Sequence, residues 1–291
     1  MSKPHVEETF ESEIVEHLVA NGYRQGHTPD YDRERALLPD DVIGFVRDTQ
    51  PKRWKRVSKK LGANPREGFL KALARTMDKR GSLDVLRRGV RVRGVQLELA
   101  YFRPAHGLNP DVLANYKKNR LTVVRQLHYD PKNDNSLDVV LFLNGIPVVT
   151  AELKMELAGQ TVVNAKKQYK HDRDPRAPIF RFKLRALVHF AVDSNEAFMT
   201  TRLAGKSTFF LPFNKGYRDG AGNPPVEDKH RTHYLWEEVW ERHSLLQIIG
   251  SFMSLQTEEK RKPGGQTVTR ETMFFPRYHQ LDCVRRLVGA T

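Results

Sequence analysis

Asp138, Glu152 and Lys154 are the residues of this 291-residue chain whose types and spacing could do chemistry. Two carboxylates about a strand apart make a hard oxygen pair suited to Mg²⁺. An ion held there polarises a phosphoryl oxygen and acidifies a bound water. A lysine two residues beyond the second carboxylate can orient or deprotonate that water and offset charge building on the phosphate. Together this is metal-assisted phosphodiester hydrolysis. All three residues lie in Ser136-Leu-Asp-Val-Val-Leu-Phe-Leu-Asn-Gly-Ile-Pro-Val-Val-Thr-Ala-Glu-Leu-Lys154, where two apolar runs flank Asn144-Gly145. An apolar strand normally spares its charges for a solvated face. Here they cluster at the ends away from the turn, a conflict between pattern and polarity that marks functional sites. A match this short also occurs as an ordinary strand-end ion pair. The strand–turn–strand–helix context and a basic flank favour the site.

The elements must bring the charges together. Glu152 and Lys154 are two apart in a strand and leave the same face. A two-residue Asn144-Gly145 turn alone pairs residue 138 with 151 and separates the carboxylates onto opposite faces. A three-residue loop over 144–146, or an equivalent bulge, pairs 138 with 152. The latter register is expected, because three uncompensated charges on two buried faces would cost several kcal/mol.

Around the hairpin the pattern is mixed. Helical spacing covers 8–21, with Phe10, Ile14 and Leu18, and Gly22 ends it. Basic helical pieces are expected at about 39–48, 51–61 and 65–80, punctuated by Pro51, Gly62, Pro65 and Gly81. From Gly89 the period becomes two, a short helix follows near 110–118, and 121–128 reads as a strand. After Gly159 a helix spans about 161–172. Strands are expected at 184–192, 197–203 and 207–211, and helices near 233–241, 244–256 and 278–288. The charged run 258–269, with Pro263-Gly264-Gly265, reads as a linker.

Bulk properties bound the classes. Hydrophobic content of 39% with 29% charged residues suits a globular core. No run approaches the roughly 20 apolar residues of a membrane span. The first residues lack a secretory apolar region, and a single cysteine, Cys283, fits a reducing compartment, so a cytoplasmic location is expected. Net charge is +14, and residues 47–93 hold 16 Lys/Arg against 4 Asp/Glu. That block resembles a phosphate-backbone footprint, set against the plainer reading of solvated helix faces.

Other signals are discounted. Gly205-Lys-Ser-Thr208 imitates the end of a phosphate-binding loop, but Thr200 stands where its first glycine belongs and a strand pattern follows. His230 and His233 lack companions at zinc-ligand spacing. Trp236, Trp240, Tyr101 and Phe102 read as core.

Further stretches carry a resemblance to a known family. They are Phe10-Glu11, Asp84-Val-Leu-Arg-Arg-Gly89, Tyr101-Phe-Arg-Pro104, the hairpin itself, Gly159-Gln-Thr161, Gln168-Tyr-Lys170 and Asp172-Arg-Asp-Pro175. Val188-His-Phe-Ala-Val-Asp193, Leu203-Ala-Gly205, Phe210-Leu-Pro-Phe-Asn-Lys-Gly216 and Phe275-Pro-Arg-Tyr-His-Gln280 continue it. In this order they resemble the N-terminal nuclease region of the R (restriction) subunit of type I restriction enzymes, of the PD-(D/E)xK nuclease superfamily. The resemblance implies a mixed α/β fold with a central mixed sheet, flanking helices and helical additions. It implies an endonuclease domain over 1–257 with a basic helical insert at about 39–88, a linker at 258–270, and the start of a truncated helicase-like motor at 271–291. Asp138 and Glu152 match the metal-binding carboxylates, Lys154 the catalytic lysine, and Glu11 an N-terminal glutamate that approaches the site. Gln168 matches the glutamine of a QxxxY motif, with Asp172 in place of its tyrosine and Tyr169 adjacent. Gln280 matches an adenine-reading glutamine. The implied cofactors are Mg²⁺ and, for the complete subunit, ATP, which this stretch alone would not turn over. The implied partners are double-stranded DNA and the methyltransferase and specificity subunits of a translocating complex. A non-catalytic basic module that binds DNA and docks the motor to the methyltransferase core is the rival reading.

Overall fold

The computed structural model describes residues 3–103, 110–156, 159–261 and 267–289. Helix α1 (Lys3–Ala20) leads to strand β1 (Arg24–Gly26). Helices α2 (Pro39–Thr49), α3 (Pro51–Leu61), α4 (Pro65–Arg80) and α5 (Ser82–Arg88) precede the small hairpin β2 (Val90–Val92) and β3 (Val95–Leu97). After α6 (Pro110–Lys117) come β4 (Leu121–His128), β5 (Ser136–Leu143) and β6 (Ile146–Leu153). Helix α7 (Val162–His171) connects to β7 (Val188–Val192), β8 (Ala197–Thr200) and β9 (Leu211–Pro212). The chain continues through α8 (Arg242–Gln247), β10 (Ser254–Arg261), β11 (Thr267–Phe274) and α9 (Tyr278–Gly289).

A seven-stranded mixed sheet in the order β1-β4-β5-β6-β7-β8-β9 forms the centre. β4, β5 and β6 pair antiparallel, and β6 pairs parallel with β7 across the α7 connection. A parallel neighbour requires such a crossover, and helices covering both faces explain why β5 and β6 are apolar almost throughout. One face buries Val139, Leu141, Ala151 and Phe190 beneath Phe10, Ile14 and Leu18 of α1. The other buries Val140, Phe142 and Ala191 beneath Val162, Ala165 and Tyr169 of α7. The chain is thus a mixed α/β fold with a central sheet flanked by helices, consistent with a nuclease-like architecture.

Several expected elements are shorter than their apolar runs. Residues 184–187 do not join β7: Ala186 N–H bonds Ile179 O, and the buried Arg185 turns away to Asp78 at 2.9 Å. Residues 201–210 leave the sheet after β8 through a turn in which Thr208 Oγ1 donates to Gly205 O, so the imitation phosphate loop is a structural turn. The expected helices at 233–241 and 244–256 are α8 between two π-type turns, 235–239 and 248–252. Trp236 and Trp240 are core residues. Most of the stretch read as a linker is paired: β10 and β11 run antiparallel from Ser254↔Phe274 to Arg261↔Thr267. Glu258, Glu259 and Arg270 are exposed on this ribbon, with Glu258 opposite Arg270. Pro263-Gly264-Gly265, like Pro104, lies outside the described residues. Met273, Phe275 and Leu281 pack into the main core. Among the described residues no helix is long and apolar enough to cross a membrane.

Candidate active site

The hairpin register is set by two backbone features. Asn144 and Gly145 both take left-handed conformations, φ 51° and 81°, which is the two-residue turn matched to strand twist. Gly145 is required twice over, since a Cβ there would meet Leu38 O at 2.4 Å. Buried Asn144 holds the turn by accepting from Arg120 N–H at 2.6 Å and donating to Leu99 O at 2.8 Å. From the turn, Leu143 pairs with Ile146 and Phe142 with Pro147. The register then shifts, and Leu141, Val140 and Val139 pair with Val149, Thr150 and Ala151. Val148 is the extra residue of a bulge, beside a proline that has no N–H to give the ladder. Continuing the shifted register sets Asp138 across from Glu152. The short turn is therefore present, and the bulge reunites the carboxylates.

Each carboxylate has one oxygen engaged and one less so. Asp138 Oδ2 accepts Leu153 N–H at 2.7 Å, while among the described residues Oδ1 has only a long bond from Gln126 Nε2 at 3.3 Å. Glu152 is fully buried, and its Oε1 accepts from Arg173 Nε at 2.6 Å. Its Oε2 is buried with no hydrogen-bond partner among the described residues. A buried carboxylate oxygen left unmatched needs an explanation, and a bound cation would satisfy it. Arg173 also donates to Ser136 O at 2.7 Å, tying the end of α7 to the start of β5. Lys154 is buried beside the pair, and its backbone N–H bonds Val192 O.

Glu11 is brought to the same place from α1. It is buried, and Gln126 Nε2 donates to its Oε1 at 2.7 Å. Gln126 Oε1 in turn accepts from Ser136 Oγ. Gln126 stands at φ 48° inside β4, between the paired residues Arg125↔Val139 and Leu127↔Leu137. A non-glycine residue in that conformation costs on the order of 1–3 kcal/mol and is held only by its surroundings. Arg125 also braces α1, donating to Ser12 Oγ at 2.6 Å and lying 3.6 Å from Glu11 Oε2.

Crowded, buried acids resist ionisation. Burial, then the nearby Asp138 charge, push Glu152 up to about 8 against the pull of Arg173 and Lys154. Burial and Asp138 likewise push Glu11 up to about 8, opposed by Gln126, Arg125 and Lys154. Among the described residues no group of three or more His, Cys, Asp or Glu side chains is spaced to hold a metal. The acids that face each other across the hairpin are Asp138 and Glu152, with Glu11 beside them. Gln168 is half-buried on α7 and takes no part in the hydrogen bonds around the carboxylates. Gln280 is exposed on α9, where its Oε1 accepts Arg277 N–H at 2.9 Å and caps the helix start. Arg173 and Gln126 went unassigned in the sequence. The only local signals were Arg125-Gln126 interrupting an apolar strand and the Asp172-Arg-Asp-Pro175 run beyond α7.

Compared with known families, the profile described as the type I restriction enzyme R protein N terminus matches residues 6–208, more than half of the chain. The chain belongs to this family. No curated protein matches it. The matched span of this R protein N-terminal region contains Glu11, Asp138, Glu152, Lys154 and Gln168, together with Gln126 and Arg173. It stops short of α8, β10, β11 and α9.

Proposed function

We infer that this chain is the metal-dependent endonuclease module of a type I restriction enzyme R subunit, hydrolysing phosphodiester bonds of double-stranded DNA. The observation that carries the reading is the Val148 bulge, which sets Asp138 across from a Glu152 whose Oε2 is buried without a partner. Asp138 and Glu152 are the residues that would hold Mg²⁺. Bound there, the ion would supply Lewis-acid activation of a water and of the scissile phosphate. The chain's own residues do the rest. Lys154, on the same strand face as Glu152, orients the attacking water or takes its proton and offsets charge on the phosphate. Arg173 fixes Glu152 through Oε1, so Oε2 is the oxygen that would be offered to an ion. Gln126 spans Glu11 and Asp138, so α1 and the hairpin are held in one arrangement. Arg173 and Gln126 act through other residues and are positioning residues.

In the complete subunit the module would work with double-stranded DNA, the methyltransferase and specificity subunits, and an ATP-driven motor to which Gln280 belongs. Gln168 would approach DNA from α7. In the R subunit reassembled with its partners, Lys154→Ala should reduce DNA cutting by at least about 10²-fold, the usual scale for a lost general acid–base group. ATP hydrolysis should be unchanged. Cutting at the unaltered rate would favour the non-catalytic docking module instead.

A further inference from the structure

The densest charge on the molecule lies far from these residues. Helix α3 carries six Lys/Arg, namely Lys52, Arg53, Lys55, Arg56, Lys59 and Lys60, and no acid. All six are exposed. Its inner side is apolar: Val57 is buried, and Trp54 meets Phe69 edge-on at 5.5 Å between ring centres. Lys52, Arg56 and Lys59 follow one another at helical spacing directly opposite that side. Arg53 lies 3.9 Å from Glu98, and Lys60 donates to Arg93 O at 3.0 Å. Lys52, Lys55, Arg56 and Lys59 make no ion pair among the described residues.

An ordinary solvated helix mixes its signs. This one instead sets like charges three and four residues apart along its whole length, each pair mildly repulsive. Its first turn holds Lys52 and Arg53 at the positive end of the helix dipole, with no acid to oppose them. Lys52, Lys55, Arg56 and Lys59 gain no ion pair among the described residues from that arrangement, so at these positions a local rule is broken without a structural return.

The position of α3 matters as much as its charge. Gln50, which precedes α3, exchanges hydrogen bonds with the backbone of Glu98 at 2.8 and 3.0 Å. The adjacent Leu99 O accepts from Asn144 at the tip of the hairpin. From Asn144 to Asp138 is six residues of strand, roughly 20 Å at the usual rise. The cationic helix therefore belongs to the turn end of the hairpin and the carboxylates to the other end.

We propose that the outer face of α3 is a docking surface for the phosphate backbone of duplex DNA, separate from the cutting residues. The choice of DNA rests on the nuclease reading above. Charge complementarity selects a regular polyanion. A duplex reaching both ends of the hairpin spans at least about six base pairs, taking roughly 3.4 Å per step.

The test is equilibrium binding of the whole chain to a duplex of about 30 base pairs, without divalent metal, between about 50 and 200 mM salt. Lys52→Gln/Arg56→Gln/Lys59→Gln should bind more weakly, and its slope of log K against log salt should be shallower by about 2.7, or about 0.9 for each lost phosphate contact. Its thermal midpoint should be unchanged or higher, because repulsion is relieved. An unaltered slope in a folded variant overturns the proposal, as does a wild-type chain that fails to bind duplex at low salt. A polyglutamate competitor as effective as DNA of equal charge also overturns it, by marking an acidic protein segment as the occupant. Because no metal is present, the outcome is independent of whether Lys154→Ala abolishes cutting.

Discussion

Glu152 is a carboxylate whose surroundings resist the charge its proposed role requires. Burial and Asp138 raise it to about 8, and Glu11 is raised to about 8 by the same two causes. Unfolded, both would titrate near 4.5. Between those limits the folded state binds more protons than the unfolded state, so stability falls as pH rises. Stability present at low pH is lost as pH climbs through about 8. In chelator, the thermal midpoint should drop from about pH 5 to about pH 8.5. Glu152→Gln, which keeps the shape of the neutral acid, should drop less steeply. An equally steep fall in the variant would mean that Glu152 is not held in its neutral form. Asp138, Glu152 and Lys154 were legible because charges in apolar strands are conspicuous. Arg173 and Gln126 were not, since each acts through a contact with a distant part of the chain.

At the scale of the element, a single extra residue decides what the hairpin can do. Asn144-Gly145 announces a tight turn, and a tight turn alone would put Asp138 and Glu152 on opposite faces. The sequence left open whether a longer loop or a bulge would resolve this. Pro147 was the local hint, because proline in a central strand belongs at an irregularity. Deleting Val148 should remove the register shift and separate the two carboxylates. The variant should retain the fold at reduced stability and lose DNA cutting by the reassembled enzyme. Wild-type cutting by a folded deletion variant would show that the bulge is not what unites them. Helix α7 docks on the same stretch of β6, beyond the shift. Buried Thr150 Oγ1 lies 2.8 Å from both Tyr169 OH and His189 Nδ1. Burial pushes His189 down to about 3, which keeps that contact neutral. The strand lengths around β7, β8 and β9 were less legible, because apolar runs continue into turns fixed by Arg185 and Thr208. The Ser254–Phe274 hairpin was hidden for the opposite reason, since its exposed ribbon carries the charge pattern of a linker.

At the scale of the molecule, the hairpin works as a ruler. One end carries acids under α1 and α7, and the other carries the basic helices. Most of the fold was readable because helix punctuation and strand alternation agree with the final packing. Composition showed the basic excess, but only the folded chain shows that its densest part lies at the turn end. The central claim is that Asp138 and Glu152 share a divalent ion. The most direct measurement is a calorimetric titration of Mg²⁺ into the whole chain at about pH 8, where the glutamates begin to ionise. The wild type should bind, and Asp138→Asn and Glu152→Gln should each lose most of the binding while remaining folded. Undiminished binding by either folded variant would contradict the account.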